Sequence, residues 1–150
     1  MMVCFVSGQQ PISIQAKSFQ KYKQRLKKEF EQYKNIFHNM PITENIYSKI
    51  IYIHSNSNVS SLDVDNMSKP IVDAFKGTIY LDDNIINHRI CSKIKFDDLA
   101  SYELQSNLLP IEISEKLDEL IMNKSPHIIY FEIGLFSPDM VFFGGVRNET

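Results

Sequence analysis

Residues 62–84 read LDVDNMSKPIVDAFKGTIYLDDN. Asp63 and Asp65 stand one residue apart at the start of this stretch, and Asp82 with Asp83 stand together at its end. Between them Met67, Ile71, Ala74 and Phe75 share one face at helical spacing, so the segment predicts a helix. Pro70 is tolerated in a first turn and disfavoured in a helix interior, which puts the expected start near residues 66–68. Gly77 is the expected stop. Residues 78–81 predict a short strand, and Asp82-Asp83-Asn84 has the composition of a turn.

Working outward, residues 46–54 (IYSKIIYIH) carry apolar side chains on both parities, the mark of a strand covered on both faces and central in a sheet. After the turn, residues 86–96 alternate: Ile86, Ile90, Ile94 and Phe96 on one face, Arg89, Lys93 and Lys95 on the other, expected to point outward. Short strands are expected at residues 3–6 and 128–135. A long amphipathic helix is expected over residues 17–37, with Phe19, Tyr22, Leu26, Phe30, Tyr33 and Phe37 in one stripe and Ser18 as its cap. Residues 97–110 read as loop and 114–122 as a short helix. The fold class is therefore α/β (α+β): a compact single domain over residues 1–136, with helices packed on a mixed sheet, followed by a tail over 137–150.

The overall charge of −2 excludes a chain that coats nucleic acid everywhere, but the distribution is uneven. Between positions 17 and 37 Lys17, Lys21, Lys23, Arg25, Lys27, Lys28 and Lys34 outweigh Glu29 and Glu31, a local +5 against −7 for the remainder. That helix face and the strand face of Arg89, Lys93 and Lys95 are two candidate surfaces for a phosphate backbone. Solvated lysines over a core-packing helix explain the first surface equally well. Two cysteines, Cys4 and Cys91, and four scattered histidines give no zinc-binding spacing. The opening MMVCFVSG lacks the basic start and apolar run of a secretory signal, and no apolar run is long enough to span a bilayer. A cytoplasmic location with reduced thiols and no membrane contact is expected.

The four carboxylates suggest a hard divalent ion, which takes oxygen ligands, commonly one or two carboxylates with waters and phosphates. Asp63 and Asp65 share a face if the chain there is extended, and either Asp82 or Asp83 could turn toward them. Lys69 follows Asp65 by four residues, one helical turn on. Carboxylates, a metal ion and an amine suit phosphodiester hydrolysis. Each residue also has a structural reading: Asp65 or Asn66 as a helix cap, Asp82-Asp83-Asn84 as a turn, Lys69 as a partner of Asp73. A calcium-binding loop is excluded, because Ser68 stands where its glycine is required and Ala74 where its glutamate is.

The pattern DVDNMSKPIVDAFKG followed by IYLDDNII resembles the signature of the RusA-type Holliday-junction resolvases, endodeoxyribonucleases that cut four-way DNA junctions. The resemblance is strong over residues 63–89. It implies an intertwined α/β homodimer with two Mg²⁺-dependent active sites (Mn²⁺ being an alternative ion), each nicking one of two symmetry-related strands. By position it implies Asp63, Asp65 and Asp83 as metal ligands and Lys69 as the catalytic lysine, with Asp82 and Asn66 in support. The well-known member has arginines just before its first aspartate where this chain has Asn58-Val59-Ser60-Ser61. DNA contact is therefore expected from Lys17, Lys21, Lys23, Arg25, Lys27 and Lys28, and from Arg89, Lys93 and Lys95. The alternatives are a junction-binding protein that does not cut and a metal-dependent hydrolase of small phosphate esters.

Overall fold

A parallel pair of strands needs a crossover, and the stretch quoted above supplies it. A computed structural model describes residues 2–13, 16–55 and 63–146. Its strands β1 (Met2–Ser7), β2 (Ile46–His54), β3 (Ile86–Lys95) and β4 (His127–Leu135) form one sheet in the order β1-β4-β2-β3. β2 and β3 are parallel, while β4 runs antiparallel to both β1 and β2. The mixed sheet and its helices, α1 (Phe19–Phe30), α2 (Val64–Ala74) and α3 (Ile111–Met122), make the fold α+β. β2 is interior, with Ile50 paired to Phe131 on one side and Cys91 on the other.

The core joins the sheet to α1 and α2 through aromatic rings. Phe75, just past the end of α2, lies 5.7 Å from Phe5, 5.4 Å from Phe30 and 5.3 Å from Phe131, ring centre to ring centre. All four rings are fully buried. This cluster fixes where α2 sits on the sheet, and so where its exposed side faces. α3 lies along β1 and β4 with Ile113 and Leu117 buried.

Several elements differ from the sequence expectation. α1 ends at Phe30 rather than running to residue 37; the chain turns and a short 3-10 helix (Lys34–Ile36) follows. A continuous helix would carry Phe37 about 10 Å along its axis, two turns from Phe30. The turn instead stacks Phe37 on Phe30 at 6.2 Å, which buries both. Ser18 precedes α1 but makes no side-chain cap bond. α2 begins at Val64, not near 66–68, and holds Pro70 in its interior. Residues 78–81 form no strand: Gly77, at φ 81°, turns the chain, and one bridge joins Tyr80 to Ile42. The 96–110 loop contains short 3-10 turns, and α3 starts three residues earlier than expected. The segment carrying Asn58-Val59-Ser60-Ser61 and Leu62 lies outside the described residues.

Candidate functional site

Asp63 caps α2. Its backbone is extended (φ −76°, ψ 165°) and its carboxylate accepts the Asn66 backbone N–H at 2.8 Å. The capping role thus falls to Asp63 rather than Asp65 or Asn66, and it explains the early start. A side-chain oxygen there satisfies one of the orphan N–H groups of the first turn. Asp65, in that first turn and exposed, complements the positive end of the helix dipole. Met67, Ser68, Ile71 and Val72 face the core. The opposite side therefore carries Asp65, Lys69 and Asp73 in one stripe, each about 6 Å further along the axis.

The far end of that stripe meets the second aspartate pair. The Tyr80 hydroxyl, on a fully buried ring, lies 2.9 Å from Asp83 Oδ1 and 3.0 Å from the Val72 carbonyl of α2. Lys76 Nζ lies 3.0 Å from Asp82 Oδ1 and 3.7 Å from Asp83 Oδ2. That ammonium holds the Asp82 carboxyl below the usual aspartate range, and in return the lysine's own pKa is raised. Asp73 moves the other way: partial burial raises its pKa and the charge of Asp83 adds to the effect, while Lys69, Lys23 and Arg89 oppose it. The charges of one cation each from α1, α2 and β3 thus act on this carboxylate against that of Asp83.

Arg89 is exposed, as the alternation suggested, but it is not free of the fold. Paired with Ser48 of β2, it reaches over to α2 and donates to Ser68 Oγ at 3.2 Å. Cys91 sits next along that face. Burial pushes its thiol up to about 11, with Asp65 adding to the rise and Arg89, Ser68 and Lys93 opposing it. Lys93 and Lys95 follow toward the end of the strand, both exposed. On the other flank, Lys17, just ahead of α1, and Lys21, Arg25 and Lys28 on it are exposed; Lys23 and Lys27 are half-buried. Lys23 lies over the Phe19 ring at 4.9 Å, and Arg25 donates to Gln9 at 3.0 Å. Of these cations, Lys23 of α1 and Arg89 of β3 act through their charge on the α2 stripe, at Asp73.

The model of the family described as Endodeoxyribonuclease RusA matches residues 6–104, about two thirds of the chain. The chain belongs to the RusA endodeoxyribonuclease family. No curated protein matches it. The match takes in the last two residues of β1, then α1, β2, α2 and β3, hence every residue of the stripe and of both aspartate pairs, and stops before α3 and β4.

For a RusA-family chain the three aspartates of the signature are placed unexpectedly. Asp63 and Asp65 lie at the first turn of α2, whereas Asp83 lies beside its last, because the helix is longer at its start than Pro70 suggested. From Asp65 to Asp73 the helix rises about 12 Å. Among the described residues, no three His, Cys, Asp or Glu side chains are grouped closely enough to hold one metal ion. The donors fit a hard divalent ion in kind: carboxylate oxygens, two at each end of the helix, with Asp63, Asp65 and Asp83 exposed and Asp82 half-buried. The Asp82–Asp83 end already holds a cation in the form of the Lys76 ammonium. Sequence reading passed over Lys76, Tyr80, Asp73 and Ser68 as site residues. Asp73 carried a legible signal, its four-residue spacing from Lys69; Lys76 and Tyr80 carried none, since only the turn at Gly77 brings them to Asp83.

Proposed function

We propose that this RusA-family chain is a Mg²⁺-dependent endonuclease of branched DNA whose active surface is the exposed side of α2 and its two ends. One observation carries the reading: within the matched region, Asp65, Lys69 and Asp73 form one stripe on α2, the Tyr80 hydroxyl ties the far end of that helix to Asp83, and Arg89 of β3 reaches over to Ser68 of the same helix. Asp63 and Asp65 would hold a divalent ion at the first turn. One oxygen of Asp63 is engaged with Asn66, which leaves the other for a ligand. At the opposite end Asp83 is the remaining candidate ligand, with Asp82 in support. When bound, the ion supplies a water of lowered pKa and neutralises charge on the phosphate.

The chain's own residues account for the rest. In hydrolysis the water oxygen bonds to phosphorus, a P–O ester bond breaks, and negative charge builds on the non-bridging oxygens. Lys69, in the middle of the stripe, offsets that charge as an ammonium aimed at one phosphate. Arg89, held across α2 by Ser68, presents further N–H donors to the same backbone. Lys17, Lys21, Lys23, Arg25, Lys27 and Lys28 on one flank and Lys93 and Lys95 on the other would bind neighbouring phosphates and position the strand.

The test is a synthetic four-way junction beside a linear duplex and a fork of matching sequence, incubated with Mg²⁺ or with EDTA. Nicking of the junction with Mg²⁺, loss of it with EDTA and little cutting of duplex is the expected result. A second reading, a junction-binding protein that does not cut, is favoured by the division of the aspartates between the two ends of α2. Tight junction binding with no nicking under Mg²⁺ or Mn²⁺ distinguishes it.

Two symmetry-related nicks need two sites, which a homodimer supplies. The exposed apolar side chains of Leu108, Ile111 and Phe143 are available for such a contact. Light scattering is expected to give twice the chain mass of 17.4 kDa, and a single chain mass would contradict the homodimer. No helix among the described residues is long and apolar enough to cross a membrane.

A further inference from the structure

Both oxygens of Asp83 are engaged within the chain. Oδ1 lies 2.9 Å from the Tyr80 hydroxyl and Oδ2 lies 3.7 Å from Lys76 Nζ, which also touches Asp82 at 3.0 Å. The backbone makes this arrangement a defined one. Lys76 comes just after α2, and Gly77 at φ 81° reverses the chain. The Gly77 N–H bonds the Tyr80 carbonyl at 2.6 Å, and Lys76 and Tyr80 form a bridge. Closing that turn brings the lysine side chain over the two carboxylates six and seven residues ahead of it.

An ammonium on two adjacent carboxylates engages the oxygens a divalent ion would need and supplies one of the two positive charges that ion would bring. We propose that Lys76 is the resident counter-cation of Asp82 and Asp83, which a divalent ion must displace to bind Asp83, so that Lys76 sets how tightly this end of the site takes metal. The proposal rests on the metal-dependent reading above. It assigns a role to a residue outside the aspartates and lysine of the family signature. The neutral Tyr80 contact remains in place when the ion binds, and the charged Lys76 contact does not, because two cations cannot share the same pair of oxygens at close range.

The experiment is a Mn²⁺ titration of the full chain, followed by calorimetry and by the electron paramagnetic resonance signal of free Mn²⁺. The variants are Lys76→Met, Lys76→Gln and Lys76→Arg, with thermal melts to check the fold. The ion pairs are exposed and such pairs are individually weak, so tightening by roughly two- to fivefold is expected in the two uncharged variants. Lys76→Arg, which keeps the charge, is expected to bind as the parent does. On an Asp83→Asn background the tightening is expected to vanish. Unchanged or weaker Mn²⁺ binding in folded Lys76→Met and Lys76→Gln overturns the proposal. If the parent nonetheless cuts the junction with Mg²⁺, the nuclease reading stands without it. Absence of Mn²⁺ binding in every variant also overturns the proposal, and absence of Mg²⁺-dependent cleavage as well overturns both.

Discussion

Asp65→Asn is expected to lower Mg²⁺-dependent nicking of a four-way junction by about a hundred- to a thousandfold, the size of loss seen when one preorganised group is removed from a transition state. Junction affinity is expected to change little. The substitution is nearly isosteric and removes one negative charge from the first turn of α2. It leaves the cap intact, because the bond to the Asn66 N–H comes from Asp63. Its cost to folding is confined to a first-turn dipole interaction of about 0.3–1 kcal/mol. Loss of cutting can therefore be attributed to the site and not to an unfolded chain. Single-turnover cleavage with gel-shift binding on the same junction measures both quantities. A variant that cuts within tenfold of the parent would remove Asp65 from the site.

Phe75→Ala is expected to destabilise the chain by about 3–5 kcal/mol, the usual cost of emptying a buried aromatic position. Its ring contacts Phe5, Phe30 and Phe131 at once, so it joins β1, β4, α1 and the end of α2. Those three rings sit on regular elements, β1, α1 and β4, which limits their collapse into the space. Since a domain is stable by only about 5–15 kcal/mol, the variant is expected to be partly unfolded at 37 °C. The expected reading is a lower urea midpoint with an unchanged slope. A midpoint shift worth less than about 1 kcal/mol would show that the four-ring cluster does not anchor α2.

How much of this was legible depended on whether a residue's role was set locally. The interior position of β2 was readable because Ile46, Ile50 and Tyr52 on one face and Tyr47, Ile51 and Ile53 on the other leave neither face polar. The end of α2 was readable because Gly77 takes a positive φ that other residues resist. Its start was misread. Pro70 argued for a late beginning, but the Asp63 cap and the buried row Met67, Ile71 and Val72 together outweigh the one backbone bond that proline removes. The break after Phe30 left no local trace either, since it is driven by Phe37 stacking back on Phe30, a contact between residues that a helix would have kept apart.

The site divided in the same way. Asp63, Asp65, Lys69 and the Asp82–Asp83 pair stood out by type and spacing, and only the family resemblance favoured Asp83 over Asp82; spacing could not tell that an eleven-residue helix separates the first pair from the second. Arg89 was legible as a cation and not as a neighbour of Ser68, because alternation names a strand face without naming what covers it. Lys76 and Tyr80 owe their places to the turn at Gly77, a short-range closure of residues 76–83 that helix and strand periodicity do not describe.

The central claim is that both ends of α2 serve one nuclease site, and Asp83→Asn tests it most directly. Asp83 is exposed and not part of the core, so the variant should fold. Its cleavage of a four-way junction in Mg²⁺ is to be measured beside the parent and Asp65→Asn. The account expects Asp83→Asn to fall to the level of Asp65→Asn while still binding the junction. Cleavage at the parent's rate would show that the Asp82–Asp83 end lies outside the site, and would contradict the account.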